Sequence, residues 1–291
     1  ASFAGRDVLY DPKLVDDPTR LAAAVRDARA LIVRNRTQVR GALLEAATRL
    51  QVVGRLGVGL DNIDVTACEA RGIAVYPATG ANDLSVAEYV ITAALMLLRR
   101  AWFASARVAA GEWPRTELMG RELSGKRLGL VGYGAIARVT GRMARGLGMS
   151  VAAYDPLLPA DHAAWADASP QPLPELLATS DVVSLHVPLT DATRNMIDAG
   201  ALAGMRRGAI LVNAARGGIV DEAALCSALR SGHLGGAALD VFAREPVDAA
   251  SGASFVGVPN LILTPHIAGV TDESNERVSD VIAGKVLEHL A

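Results

Sequence analysis

Three side chains that could carry acid–base chemistry follow three separate predicted strands in the second half of the chain. Arg216 follows a strand at 209–212, Glu245 follows one at 236–240, and His266 follows one at 261–263. Parallel strands bring their carboxyl ends to one edge of a sheet, so we expect these residues to share one crevice. Arginine there can bind a carboxylate through two hydrogen bonds, and histidine can move a proton near neutral pH. A carboxylate can orient that histidine and favour its charged form.

Each of these residues also has a structural alternative. His266 follows a proline and could be a capped loop histidine, and Glu245 could be an ordinary turn residue before Pro246. Arg216 could pair with Asp221. Polar residues at a sheet edge are often structural, so spacing alone leaves both interpretations open.

A glycine turn lies between a predicted strand at 127–131 and a predicted helix from about 136 to 147. Gly132 allows the sharp turn, and Gly134 removes a side chain so that the backbone can approach a pyrophosphate. Ala137 is small enough for the helix to pack on the strand. The helix N-terminus then offers N–H groups and the positive end of its dipole to the phosphates. The pattern predicts a dinucleotide site.

Asp155 ends the next predicted strand, at 150–154, about twenty residues beyond the glycines. A carboxylate there can accept hydrogen bonds from the ribose hydroxyls and repel a 2′-phosphate, which favours NAD over NADP. The alternative is a plain βαβ unit without a ligand, in which Asp155 is a turn or cap residue.

Composition agrees with an α/β enzyme. The 291 residues are 51% hydrophobic and carry a net charge of −2, which gives no reason to expect nucleic acid or a membrane as a partner. We interpret Cys68 and Cys226 as buried thiols of a reducing compartment, and we predict no metal site. No apolar signal segment is found, so we expect a cytoplasmic protein.

Strands and helices alternate along the first part of the chain, which predicts a second parallel sheet. Strands are expected at 8–10, 30–33, 51–53 and 73–75. The loops after two of these strands contain Arg34, Arg36 and Arg55, and the glycine-rich loop 54–61 can offer N–H groups to a carboxylate. These arginines could bind an anionic substrate, or they could be solvated or paired with local carboxylates. The predicted helix at 84–99 is apolar on nearly every face, so a homodimer is plausible.

Six motifs together resemble the D-isomer-specific 2-hydroxyacid dehydrogenase family, with the phosphoglycerate dehydrogenase branch as the nearest likeness. They occur in order along nearly the whole chain, at 58–64, 132–137, 186–190, 213–222, 239–246 and 264–269. The resemblance implies two Rossmann-like, doubly wound parallel-sheet domains. The NAD-binding domain, 79–268, would be inserted into a discontinuous substrate domain formed by 1–78 and 269–291. Family members are usually homodimers built on the long helix.

The resemblance also implies roles for individual residues. Arg216 would bind the substrate carboxylate, His266 would be the acid/base, and Glu245 would be the partner of His266. The residues implied in NAD binding are Gly132, Gly134, Ala135, Ile136, Asp155, His186, Val187, Pro188, Thr193, Ala214, Ala215, Asp240 and Gly269. The residues implied in substrate binding are Val58, Gly59 and Asn82. Arg34 is predicted from its position in an arginine-rich loop, as a cation for a second anionic group of the substrate.

The predicted substrate is a small 2-hydroxy acid with a second anionic group, 3-phosphoglycerate first and sulfolactate second. Reduction of glyoxylate or hydroxypyruvate is one alternative, and a non-metabolic, NAD-sensing corepressor-like role is another. The opening strand and helix usual in the family are missing before Ala1, so we expect residues to precede it. The regulatory C-terminal extension of many phosphoglycerate dehydrogenases is also missing.

Overall fold

The structure is a computed structural model that describes residues 3–291, except for the side chain of Trp102. The chain forms two compact units. One joins the residues up to Asn82 to the segment Val270–Ala291, and the other is Asp83–Gly269. The predicted domain boundaries, 78/79 and 268/269, lie close to these limits.

The first part of the chain contains short helices that alternate with parallel strands. Its elements are α1 (Pro18–Val25), β1 (Ala30–Val33), α2 (Gly41–Ala46), β2 (Val52–Arg55), α3 (Val65–Ala70) and β3 (Ala74–Pro77). The strands form a parallel sheet in the order β1-β2-β3. Asp17 and Asp64 cap α1 and α3 by accepting hydrogen bonds from backbone N–H groups of the first turn.

The second unit begins with the long helix and contains the larger sheet. Its first elements are α4 (Asp83–Arg99), α5 (Ala104–Ala109), β4 (Arg127–Val131), α6 (Ala135–Gly146), β5 (Ser150–Tyr154), β6 (Ser169–Pro170) and α7 (Leu173–Thr179). The elements that follow are β7 (Val182–Leu185), α8 (Ala199–Gly204), β8 (Ile210–Asn213), α9 (Glu222–Arg230), β9 (Gly236–Leu239), α10 (Ala249–Gly252) and β10 (Leu261–Leu263).

The seven strands of this unit are parallel, in the order β10-β9-β8-β7-β4-β5-β6. The order reverses at β4: the chain proceeds outward from it to β5 and β6, then returns to β7 on its other side. Strands β7, β8 and β9 are buried along their whole length, as expected for a sheet covered on both faces. A reversal of this kind places a ligand crevice at the carboxyl ends of the central strands.

The last helix, α11 (Asp272–His289), completes the first unit. Thr271 caps it in a capping box with Ser274. Val278, Ile282 and Val286 of this helix pack in one core cluster with Val52 of β2. A Cβ on Gly54 would lie 2.5 Å from Ile282, so a glycine in β2 lets the helix approach the sheet. The α/β fold class with parallel sheets is confirmed.

The predicted strand at 8–10 is wrong. Residues 7–10 have no regular secondary structure, and Val8, Leu9 and Tyr10 are 55%, 68% and 85% exposed. The segment is apolar enough for a strand, but no strand among the described residues pairs with it. Within residues 3–291, no helix has the length and apolar character needed to span a membrane.

Candidate active site

The glycine turn between β4 and α6 leaves space at the place where a pyrophosphate would approach. Gly132 has φ +86°, and a Cβ there would lie 2.7 Å from the His186 carbonyl oxygen, so only glycine fits. At Gly134 a Cβ would meet no atom within 4 Å. Gly134 precedes α6, whose N-terminus has no side-chain cap. The open space and the uncapped N–H groups fit a dinucleotide phosphate.

Asp155 anchors the turn from the end of β5. Its Oδ2 accepts a hydrogen bond from the Tyr133 N–H at 2.8 Å, and its Oδ1 accepts one from the Leu157 N–H at 3.0 Å. Each carboxylate oxygen has a second lone pair, so Asp155 can serve the turn and still accept from ribose hydroxyls. The ribose contact stays a prediction.

His186 lies just past the end of β7 and is neutral at physiological pH. Burial lowers the pKa of His186 to about 4, and its Nε2 lies 2.9 Å from the Ser184 hydroxyl. In the loop that follows, the Thr193 hydroxyl donates to the Pro188 carbonyl at 2.6 Å. The predicted contacts of His186, Val187, Pro188 and Thr193 with the cofactor stay predictions.

Asn213 sets the conformation of the loop that contains Arg216. This asparagine ends β8 and is buried. Its Nδ2 donates to the Arg216 carbonyl at 2.9 Å, and its Oδ1 accepts from the Ala215 N–H at 3.1 Å. The Arg216 guanidinium donates to the Ala215 carbonyl at 2.6 Å. The loop that holds Ala214, Ala215 and Arg216 is therefore fixed by its own first residue.

Glu245 and His266 form a hydrogen-bonded pair. The distance from His266 Nδ1 to Glu245 Oε2 is 2.8 Å, and the two side chains are 43% and 32% exposed. The other oxygen of Glu245 accepts from the Phe242 N–H at 3.0 Å. The carboxylate therefore works both as a turn residue and as the partner of the histidine. With Nδ1–H donated to Glu245, His266 presents Nε2 as the atom that can accept or give a proton.

The Arg216 loop and the Glu245 loop touch through a glycine. A Cβ on Gly217 would lie 1.7 Å from the Phe242 carbonyl oxygen, so the two backbones meet there. Glu222, at the start of α9, accepts from the Ala243 N–H at 2.7 Å and ties the same loops together. The loops that carry Arg216, Glu245 and His266 are thus joined within one unit.

Asp240 organises the loop on either side of His266. It is 1% exposed and follows β9. Its Oδ1 accepts from the Thr264 hydroxyl at 2.6 Å and the Ile267 N–H at 2.8 Å, and its Oδ2 accepts from the Ala268 N–H at 2.7 Å. Three of roughly four acceptor positions of a carboxylate are therefore occupied. One remains for the predicted nicotinamide contact. Gly269 follows directly in sequence.

In the first unit, the Arg55 side chain is fixed by hydrogen bonds to residues of the predicted substrate loop and the segment after it. Its Nε donates to Asn62 Oδ1 at 3.2 Å, and its Nη1 donates to the Leu56 carbonyl at 2.6 Å. A Cβ on Gly57 would lie 2.3 Å from this Nη1, so the glycine leaves room for the guanidinium. Val58 and Gly59 follow Gly57 in the same loop. Arg34 is exposed and donates to Asn275 Oδ1 at 3.3 Å.

Asn82 has a buried acceptor without a partner among the described residues. Its Oδ1 is inaccessible to solvent and receives no hydrogen bond. A buried, unsatisfied carbonyl is costly, and ligand donors often satisfy such groups. This orphan oxygen agrees with the predicted role of Asn82 in substrate binding, which stays a prediction.

Sequence reasoning missed several residues that position the site. Three of them lie inside the family-like motifs: Asn213, Glu222 and Thr264. Their place in these motifs was the signal that could have identified them, but no role was predicted for them. Tyr89, which hydrogen-bonds Thr264 at 2.6 Å, lies outside every motif. The sequence of its helix shows only an apolar pattern, which does not indicate a polar role for one tyrosine.

Comparison with known proteins identifies the family of the larger unit. Residues 91–268 match the model of the NAD binding domain of D-isomer specific 2-hydroxyacid dehydrogenases. The (S)-sulfolactate dehydrogenase of Chromohalobacter salexigens is 57% identical over 280 residues, which cover 96% of this chain and 90% of that protein.

More distant relatives have related activities. The D-3-phosphoglycerate dehydrogenase of Mycobacterium leprae is 41% identical over 275 residues, which cover 94% of this chain but only 52% of that protein. The crystal structure of a D-lactate dehydrogenase from Aquifex aeolicus, complexed with NAD and lactic acid, matches with a TM-score of 0.83 at 31% identity. The match covers 92% of this chain and 85% of that chain.

Proposed function

The chain belongs to the D-isomer-specific 2-hydroxyacid dehydrogenase family, and from this premise we propose that its substrate is a small 2-hydroxy acid with a second anionic group, (S)-sulfolactate before all others. The protein is an NAD-dependent oxidoreductase that acts on the CH–OH group of a 2-hydroxy acid. The His266–Glu245 pair at 2.8 Å carries the chemistry of the proposal. The preference for sulfolactate over 3-phosphoglycerate reverses the order expected from sequence and rests on the 57% identity to a sulfolactate dehydrogenase.

The residues of the second unit supply binding and proton transfer. Arg216 binds the substrate carboxylate, because its guanidinium matches that group with two parallel hydrogen bonds. In the oxidation direction, His266 Nε2 takes the proton of the C2 hydroxyl while the C2–H bond breaks and the C2=O bond forms. Bound NAD supplies the acceptor for the hydride that leaves C2. Glu245 stabilises the imidazolium that results.

The arginines of the first unit support a second anionic group. Arg55 is half-buried, and its guanidinium is held by Asn62 beside Gly57, in the loop that also contains Val58 and Gly59. Its fixed position reduces the side-chain entropy lost on binding. We propose Arg55, together with Arg34, the arginine expected from the sequence, as the cations that select a sulfonate or phosphonooxy group. Arg36 is a weaker candidate because it is exposed and paired with Asp16.

A substrate panel tests this proposal. The purified enzyme is given sulfolactate, 3-phosphoglycerate, malate, lactate, glycerate, and the reverse substrates glyoxylate and hydroxypyruvate, each with NAD(H) or NADP(H), and read at the NADH absorbance band. We expect the highest kcat/KM for sulfolactate with NAD. An equal kcat/KM for lactate would contradict selection of a second anion, and tight NADH binding without turnover of any acid would support the sensor alternative.

We also propose that the protein is a cytoplasmic homodimer. Val108, Trp113 and Met119 are 45%, 81% and 73% exposed, and a cavity of about 200 Å³ lies beside Trp113 and is lined by Pro114 and Leu118. Such clustered apolar exposure is typical of an interaction surface. Arg107 pairs with Glu112 and Glu117, both at 2.6 Å, and these ion pairs help to fix the segment that a second copy would contact.

The proposed cytoplasmic location has separate support. The buried thiols of Cys68 and Cys226, both unpaired, agree with a reducing compartment.

A further inference from the structure

A chain of three polar side chains lies behind the loop that carries His266. The hydroxyl of Tyr89, on α4, is 2.6 Å from the Thr264 hydroxyl, and the Thr264 hydroxyl is 2.6 Å from Asp240 Oδ1. Asp240 is buried and Tyr89 is half-buried. These hydrogen bonds join α4, the first helix of the second unit, to the loop that follows β10, its last strand.

The direction of the hydrogen bonds follows from the chemistry of the groups. An ionised carboxylate only accepts, so the single proton of the Thr264 hydroxyl is donated to Asp240. The Thr264 oxygen is then left as an acceptor, and Tyr89 must donate to it. Burial raises the pKa of Tyr89 to about 12, and the negative charge of Asp240 acts in the same direction, so the phenol keeps its proton at physiological pH.

Asp240 in turn fixes the backbone around His266 through hydrogen bonds. Its carboxylate accepts from the Ile267 and Ala268 N–H groups, and its carbonyl accepts from the His266 N–H at 2.8 Å. His266 itself has φ 58°, a left-handed conformation that a non-glycine residue keeps only when its surroundings impose it. Without the Thr264 hydroxyl, the Asp240 carboxylate would lose one of the three hydrogen bonds that fix its rotation, and the only one from a side chain among the described residues.

We infer that Tyr89 and Thr264 are positioning residues for His266, acting through Asp240, in the reaction given under the proposed function. Neither residue needs to touch the substrate. Their hydroxyls hold the Asp240 carboxylate in the orientation that presents His266 toward Glu245. A plain packing role for Tyr89 would need only its ring, and phenylalanine would then serve as well.

Four variants of the full chain separate these roles: Tyr89→Phe, Thr264→Val, Thr264→Ser and the double variant Tyr89→Phe/Thr264→Val. Tyr89→Phe removes only the phenol oxygen, Thr264→Val replaces the hydroxyl with a methyl of similar size, and Thr264→Ser removes only the methyl. A displaced acid/base group slows the chemical step, so we expect Tyr89→Phe and Thr264→Val to lower kcat at least about ten-fold while KM and NADH binding stay within roughly two-fold. Thr264→Ser keeps the hydroxyl and should keep kcat.

The double variant tests whether Tyr89 works through Thr264. If it does, the double variant will be no slower than Thr264→Val alone, because residues of one network do not add. A kcat for Tyr89→Phe equal to wild type, or additive losses in the double variant, would overturn the inference.

Amide hydrogen exchange gives a readout that does not need turnover. The peptide covering 264–269 should exchange faster in Tyr89→Phe and Thr264→Val than in wild type and Thr264→Ser, because the Ile267 and Ala268 N–H groups lose a fixed acceptor. Unchanged exchange in both variants would overturn the positioning role. Absence of wild-type turnover with every acid would refute the proposed function instead, while the exchange data would still decide this inference.

Discussion

At the scale of single residues, the backbone of His266 is informative. Its φ of 58° costs a non-glycine residue about 1–3 kcal/mol when nothing compensates. Glycine would adopt this conformation without that cost but would bring no imidazole. The His266 N–H donates to the Asp240 carbonyl at 2.8 Å, which offsets part of the cost. A histidine kept in a conformation that suits glycine indicates that its side chain is needed at this point.

Removal of that imidazole should abolish most turnover. We expect His266→Ala to lower kcat by at least about 100-fold, the loss typical of a missing general acid/base, while NADH binding is retained. Steady-state kinetics and NADH fluorescence titration measure the two effects. His162→Ala, which removes an exposed histidine of the same unit, is the control and should keep its turnover. Turnover near wild type in His266→Ala would remove this residue from the mechanism.

Asp155 should control the choice between NAD and NADP. Asp155→Asn keeps an oxygen that can accept from the Tyr133 N–H but removes the negative charge that repels a 2′-phosphate. We expect the ratio of kcat/KM for NAD to that for NADP to fall about ten-fold or more, as one charge interaction in a partly buried site allows. Asp161→Asn removes an exposed charge six residues further along the chain and should leave the ratio unchanged. An unaltered ratio in Asp155→Asn would mean that this carboxylate does not contact the ribose.

His186 should make the stability of the protein depend on pH. Its pKa is about 4 in the folded chain, below the ordinary value of 6.5, so between these values the unfolded state binds a proton that the folded state does not. The free energy of unfolding therefore falls as pH falls through this window, by about 2 kcal/mol between pH 7.5 and pH 5. Urea unfolding at pH 7.5 and pH 5 measures the loss. In His186→Gln the loss should be smaller by that amount, and equal losses in both proteins would contradict the assignment.

At the scale of elements, a parallel sheet explains why so much of the site is visible in the sequence. Arg216, Glu245 and His266 follow β8, β9 and β10, three adjacent strands, so the rule on strand ends predicts their shared edge. Tyr89 could not be found in this way. It is 175 residues from Thr264 in sequence, and nothing in an apolar helix indicates which polar group a single hydroxyl will meet.

The strand at 8–10 was predicted wrongly for a different reason. Its residues have suitable types, but a strand is defined by its partners, and the described strands of the first unit pair only among themselves. Local propensity therefore gave the wrong result where tertiary pairing decides.

Gly217 should be essential because two loops meet at its Cα. A Cβ would lie 1.7 Å and 2.1 Å from backbone atoms of Phe242, and neither atom can yield as a flexible side chain would. We expect Gly217→Ala to cost about 1–3 kcal/mol of unfolding free energy and to lower kcat up to about 100-fold, since the Arg216 and Glu245 loops must separate. Thermal unfolding and kinetics measure both.

Gly284→Ala is the matched control for that substitution. Gly284 lies inside α11, where a Cβ would meet nothing within 4 Å. Alanine there should raise the unfolding free energy by roughly 0.5–1 kcal/mol, because glycine weakens a helix interior. A Gly217→Ala enzyme with wild-type kcat would show that the loops need not touch.

At the scale of the whole molecule, the two units divide the proposed work. The second unit contains the glycine turn, Asp155 and the acid–base pair, and residues 91–268 match an NAD binding domain. The first unit contains Arg34, Arg55 and Asn82, which we assign to the acid substrate. The sequence motifs indicated this division, because the motifs for the cofactor and those for the substrate occur in separate parts of the chain.

The exposed apolar surface around Trp113 should be covered by a second copy of the chain. We expect light scattering to give twice the 30.3 kDa mass of one chain. Trp113→Arg should shift the protein toward monomer, because a charge buried in an apolar interface without a partner is strongly unfavourable. Val256→Arg alters a side chain that is 77% exposed elsewhere in the same unit and should leave the mass unchanged. A wild-type monomer, or a dimer that Trp113→Arg leaves intact, would contradict the assignment of this surface. Since Tyr89 and Thr264 act within one protomer, their effect on kcat should remain the same in the monomeric variant.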